Sequence, residues 1–417
     1  MRKGELTLMS SGTKTNKSLI VLMINMFIAM LGIGLVIPIL PKLLEDFNAG
    51  GTAAGYLIAA SGLTQFLFSP LAGEWSDKYG RKRMIVLGLV LFTLSQFLFA
   101  IAGVMWLLYV SRFLGGIGAA MMVPAMMAYV ADSTTEDTRG KGLGMLGAAM
   151  SLGFVIGPGI GGFLADLGLR APFYISALVA AIATVLSFFM LKETLSEERL
   201  QAARQSQQKR ESIVKQLITS VKAPYFIYLI LVFTLTFGLV NFEAVFSLFV
   251  DNKYGYTTKE ISVMITVGAL VGVVVQGALI NKLLHRFGEN KLINVSFLIS
   301  AIMMVLMLLS GNFWYNMVLI LIFFTFTSIM RPAINTVLSK MAGSEEQGFV
   351  MGMNNAYMSL GNIFGPALAG ILFDVHVNLP YSFGAIVLVL SLVLSLSWGK
   401  RITGRNKQKL EAISNEG

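Results

Sequence analysis

The stretch "SLGFVIGPGIGGFLAD" at residues 151–166 returns as "SLGNIFGPALAGILFD" at residues 359–374, with every matched letter 208 positions later. Extended back to Gly140, 13 of 27 positions are identical between the copies, among them Gly144 with Gly352, Gly157 with Gly365, Pro158 with Pro366 and Asp166 with Asp374. The same offset lays Met122, Pro124 and Ala125 on Met330, Pro332 and Ala333, and "KYGRKR" (78–83) on "RFGENK" (286–291). One register serving three separated regions marks an internal duplication.

Composition says what is duplicated. Of 417 residues, 55% are hydrophobic and 13% charged, against roughly 25% charged in a soluble domain, so the chain belongs in a bilayer. A spanning helix needs about 20 apolar residues, and twelve segments qualify: 18–40, 52–72, 84–103, 105–131, 142–165, 171–191, 224–250, 260–280, 292–310, 313–339, 349–373 and 380–399. The first is longer than a signal-peptide core and reads as a retained span.

The reading is an all-α membrane protein of twelve transmembrane helices. Residues 1–191 form one six-helix bundle, 192–222 a polar cytoplasmic linker able to form an amphipathic helix, 223–399 the second bundle and 400–417 a cytoplasmic tail. An offset spanning six helices makes the bundles parallel repeats, and transport by alternating access is the leading expectation for such a chain, although duplicated membrane proteins have other jobs too. Of 32 Lys and Arg residues, only Lys42, Arg170, Lys253 and Lys259 fall in connections on one side. The positive-inside rule therefore places both termini in the cytoplasm. The net charge of +10 serves orientation, not nucleic acid. With no cysteine and two histidines, thiolate sites, disulfides and an all-histidine metal cluster are excluded. No acid–base pair or activated nucleophile appears at depth, so an enzyme is not expected, and no connection is large enough for a signalling domain.

Three charges lie inside spans: Arg112, Glu243 and Arg331. Each costs at least about 2.5 to 3.5 kcal/mol at the bilayer centre and must face protein or a water-filled cavity. Glu243, in "GLVNFEAVFSLF", sits eight residues before Asp251, roughly 12 Å deep. Low-dielectric surroundings favour a neutral acid, which suits a proton carrier exchanging with a cationic substrate; a fixed Glu–Arg pair is the structural alternative. At the 208 offset Leu35 stands where the second copy has Glu243. Phe242, Phe246 and Phe249 form a stripe at helical spacing, suited to an adaptable apolar pocket or to lipid. Gly153, Gly157 and Gly161 share one helix face, where another helix can approach closely, and Pro158 bends that helix.

"GEWSDKYGRKR" (73–83), "RFLGGIGAA" (112–120) and "GFVIGPGIGG" (153–162) resemble the signature loop, fourth-span motif and fifth-span antiporter motif of the major facilitator superfamily. "LGIGLVIPILP", "FGLVNFEAVFSLF", "MRPAI" and "GNIFGPALAGILFD" extend the likeness over nearly the whole chain, to the bacterial multidrug:proton antiporters of the NorA, Bmr and Blt group. The resemblance implies export of hydrophobic, often cationic compounds (dyes, quaternary ammonium biocides, fluoroquinolones) by alternating access, driven by the proton gradient with no cofactor. It implies a monomer in the bacterial plasma membrane, whose partners are lipophilic substrates, protons and lipid. An exporter of an endogenous polyamine, lipid or sugar is the competing expectation.

By the same resemblance Glu243, Arg112 and Arg331 couple protons. Substrate contacts fall to Glu243, Arg112, Arg331, Ile33, Gln65, Phe154, Phe246, Phe324, Asn354 and Asn362. Gating falls to Gly73, Asp77, Gly80 and Arg81 of the signature loop, and to Gly153, Gly157, Pro158, Gly161 and Gly162. One position departs: several relatives carry an aspartate three residues before the Arg–Pro pair of the tenth span, and here it is Ser328. That leaves Glu243 as the single membrane acid.

Overall fold

In a computed structural model, residues 4–205, 213–342 and 346–415 are described, and they are helical with no strand among them. The first half holds α1 (Gly4–Gly34), α2 (Leu40–Glu45), α3 (Gly51–Tyr79), α4 (Arg81–Ile101), α5 (Met105–Ser133), α6 (Glu136–Leu164), α7 (Ala171–Met190) and α8 (Glu197–Gln205). The second holds α9 (Ile213–Ser220), α10 (Phe226–Tyr254), α11 (Thr258–Val274), α12 (Ile280–Phe287), α13 (Glu289–Leu306), α14 (Phe313–Met341), α15 (Gln347–Val375) and α16 (Leu379–Asn415). A five-residue π-helix, Val275–Leu279, joins α11 to α12.

Among the described residues, eleven helices are long and apolar enough to cross a membrane. The expected second span, α3, runs 29 residues, but Ser61, Thr64, Gln65, Ser69, Glu74, Asp77 and Lys78 lower its hydropathy. The expected first span is cut short: α1 stops at Gly34 and residues 35–39 form turns, because Pro38 lacks an N–H and disfavours a helical Ile37. The linker carries two short helices, α8 and α9, and residues 206–212 lie outside the described residues.

The chain forms two compact units, one of residues 1–209 with 256–266, the other of 210–255 with 267–417. In the first, α1 packs on α6 and α7, α4 on α5 and α7, and α3 on α5; in the second, α10 packs on α15 and α16, and α13 on α14 and α16. The pairings of α1, α4, α5, α6 and α7 are thus repeated by α10, α13, α14, α15 and α16.

Lipid is as apolar as leucine, so helices in a bilayer associate by close approach and not by hydrophobic exclusion. The glycine stripe supplies it. A Cβ built on Gly153 would collide with the Phe27 carbonyl oxygen and one on Gly157 would lie 2.7 Å from that of Leu31, both on α1, and one on Gly161 would lie 2.5 Å from that of Leu35 in the turn that follows. In the second unit, Cβ atoms on Gly361 and Gly365 would fall 3.0 and 2.9 Å from the carbonyl oxygens of Phe233 and Phe237 on α10. Pro158 frees the Phe154 carbonyl, and Gly34 packs against that oxygen and the Pro158 ring.

These contacts correct the register of the first span. Gly153 and Gly361 are 208 apart, but their partners Phe27 and Phe233 are 206 apart, and so are Leu31 and Phe237. Gly32 then matches Gly238, and the counterpart of Glu243 is Ile37, not Leu35. In the first unit that position lies in the turn before Pro38; in the second, α10 continues unbroken through Glu243.

Candidate functional site

The membrane carboxyl and its arginine belong to the second unit. Glu243 on α10 is half-buried, between Phe242 and Ala244, which are both buried. Arg331 on α14, just before Pro332, is exposed. The charges of Glu243 and Arg331 act on one another, yet no ion pair of 4.0 Å or less joins them among the described residues. A sealed Glu–Arg bridge is therefore not what the helices build.

The aromatic stripe beside Glu243 faces neither lipid nor an open pocket: Phe242, Phe246 and Phe249 are each at most 2% exposed. Phe242 stacks on Phe246 at 5.2 Å and lies 4.3 Å from Phe323 on α14, while Phe249 lies 4.2 Å from Tyr381 on α16. Helical spacing alone did not say which surface the stripe meets. Phe324, partly buried, touches the edge of this cluster 6.4 Å from Phe242. Asn354 is buried, its Oδ1 without a hydrogen-bond partner among the described residues, and Asn362 is half-buried, both on α15. The Ser328 hydroxyl donates a hydrogen bond to the Thr325 carbonyl, 2.8 Å away.

Arg112 belongs to the first unit. Its guanidinium lies 4.0 Å from the ring centroid of Phe99 on α4, and its buried Nε and Nη2 have no hydrogen-bond partner among the described residues. Cation–π attraction offsets part of the cost of a desolvated cation. In the same unit Gln65 and Ile33 are exposed and Phe154 is half-buried. A crevice between α1, α6 and α7, lined by Phe27, Leu31, Leu35 and Ile160, contains none of the expected site residues.

The signature loop is held by a charge network. Arg81 pairs with Asp77 at 2.7 Å and with Asp132 at 3.1 Å, and donates to Ser76 Oγ. Gly80, at φ +106°, turns the chain between α3 and α4; any Cβ there would strike the Glu193 carboxylate. Glu193 accepts from the backbone N–H groups of Arg81 and Lys82 at 2.9 and 3.2 Å, so it caps the positive end of α4. Gly73 lies half-buried on α3. Asp132 and Glu193 escaped sequence reasoning, although an acid opening the basic linker was a visible signal.

The second unit repeats this device with its charges exchanged. Arg81 and Asp132 become, 208 residues on, Glu289 and Lys340, and these pair at 2.5 Å. Gly80 becomes Gly288, also at positive φ.

The remaining glycines expected to gate are packing surfaces. Gly153, Gly157 and Gly161 meet α1 and the turn that follows it, as described above. A Cβ on Gly162 would collide with Ser262 on α11, and one on Gly159 would lie 3.0 Å from Thr266 Oγ1. Lys259 and Asp166 pair nearby at 2.7 Å.

Two like-paired helical units with this loop define a membrane transporter architecture. Residues 22–356 and 277–415 match the model of the Major Facilitator Superfamily, and the chain belongs to that family. It is 45% identical over 384 residues to multidrug resistance protein 2 of Bacillus subtilis, covering 92% of this chain and 95% of that one. It is 36% identical over 366 residues to the quinolone resistance protein NorA of Staphylococcus aureus, covering 88% and 92%. The fold is also that of the nucleoside transporter NupG (TM-score 0.76, 12% identity, 92% and 99% covered) and of a D-xylose–proton symporter (TM-score 0.73, 17% identity, 91% and 96% covered).

Proposed function

We propose that this protein is a proton-coupled multidrug exporter, which exchanges external protons for hydrophobic, often cationic compounds at the plasma membrane, with both termini cytoplasmic. The names of its relatives, multidrug resistance and quinolone resistance proteins, support the substrate class. One observation carries the coupling: a carboxyl midway along a membrane helix, beside an aromatic cluster, with an arginine in electrostatic reach and no ion pair among the described residues to neutralise it. A charge so placed is costly unless it is protonated or meets a cation. Proton and cationic substrate then compete for one group, and alternating access makes that competition vectorial. Arg331 sets how readily Glu243 gives up its proton, and Phe324 and Asn354 offer apolar and amide contacts to cargo.

The test is ethidium efflux from cells expressing wild type or Glu243→Gln, with and without a protonophore. Wild-type efflux should collapse with the protonophore, and the variant should fall to that baseline at equal membrane abundance. Efflux by Glu243→Gln that still responds to the protonophore would overturn the proposal.

A further inference from the structure

We propose that α12 and the start of α13 bind the headgroup of an anionic phospholipid through Lys282, Arg286 and Lys291, with an acyl chain lying along α11. The argument starts from the repeat. In the first unit Glu74 and Lys78, one helical turn apart, form an ion pair. Their counterparts 208 residues on are Lys282 and Arg286, and like charges at this spacing repel. Asp77 becomes His285, and Arg83 becomes Lys291. The one acid of this loop, Glu289, is already paired with Lys340. Lys282, His285, Arg286 and Lys291 are all exposed, and no carboxylate within 4.0 Å pairs with the three cations among the described residues.

Geometry gathers that charge. Arg286 and Lys291 converge on one ring, 5.5 and 5.7 Å from the centroid of Phe287, which is itself exposed. An aromatic flanked by cations suits the headgroup level of a bilayer.

The apolar surface beyond it is continuous. Val267, Leu270 and Val274 are exposed at helical spacing along α11. The π-helix that follows adds one residue to the turn, so the exposed Leu279 keeps that face, and Lys282 and Arg286 follow it at three and seven residues. A tail on this stripe therefore ends on the cations. Orientation by basic loops explains neither the lost acids nor the alignment.

Native mass spectrometry of the full-length protein, with phosphatidylglycerol or phosphatidylcholine added at equal mole fraction, tests this. Wild type should retain phosphatidylglycerol preferentially. Each cation near an anionic lipid is worth about fivefold in affinity, so the triple Gln variant should lose on the order of a hundredfold. Lys282→Glu puts an acid one turn before Arg286, as Glu74 stands before Lys78 in the first unit; it should melt no lower than wild type and still lose more than about tenfold. Three outcomes would each overturn the proposal: equal retention of both lipids by wild type, unchanged retention by both variants, or displacement of the lipid by millimolar inorganic phosphate, which would mark a soluble-anion site.

Discussion

Adding one methyl group at Gly157 tests the packing on which both units depend. The Cβ of Gly157→Ala would lie 2.7 Å from the Leu31 carbonyl oxygen and 3.0 Å from Gly34 Cα. Both are backbone atoms, so no side chain can swing aside. Restoring an ordinary 3.4 Å contact requires α1 and α6 to part by about 0.7 Å, and overpacking of this kind costs about 1 to 3 kcal/mol. Gly144 lies on the same helix with nothing within 4 Å of its Cβ position, and there alanine gains up to about 1 kcal/mol of helix propensity. Thermal unfolding in detergent, followed by intrinsic fluorescence, compares the two. Gly157→Ala should melt several degrees below wild type, since each kcal/mol moves Tm by about 2 to 4 °C in a domain of 150 to 250 residues. Gly144→Ala should equal or exceed wild type. Equal melting of the two variants would refute the close-approach argument.

Glu193→Ala removes the carboxylate that caps α4; it should cost about 1 kcal/mol and speed amide hydrogen exchange at Arg81 and Lys82 while leaving α13 unchanged. Exchanging the residues of the second unit's pair, as Glu289→Lys with Lys340→Glu, should restore stability lost in either single variant, because the first unit already uses the reversed polarity; a double-mutant cycle checks this. Lys253 donates to the Leu308 carbonyl at 2.8 Å and to Asn378 Oδ1 at 2.7 Å, so Lys253→Met should lower stability on the order of 1 kcal/mol, read as a drop in Tm. Ser328→Asp adds to Glu243 a second membrane carboxyl, this one on the tenth span, and should raise the number of protons moved per substrate in reconstituted vesicles.

The duplication and the long helices were legible because both leave periodic marks: repeated glycines, prolines and apolar runs of spanning length. The 206-residue register of the first span was not, since α1 and α10 share only isolated matches such as Gly32 with Gly238, and their pairing is set by backbone contact with α6 and α15. Burial of Phe242, Phe246 and Phe249 was also hidden. A membrane helix is apolar all round, so its sequence does not separate the face that meets protein from the face that meets lipid. Glu243, Arg112 and Arg331 could be picked out because charge is rare at depth. Glu193 could not, because its meaning comes from a partner 112 residues away.

The central claim is that one carboxyl serves proton and cargo in turn, and proton counting addresses it most directly. The purified protein, weakly buffered in detergent, is mixed with ethidium while released protons are read with a pH-sensitive dye. Wild type should release close to one proton for each ethidium bound, and Glu243→Gln should release none. Wild-type release persisting in Glu243→Gln would contradict the account.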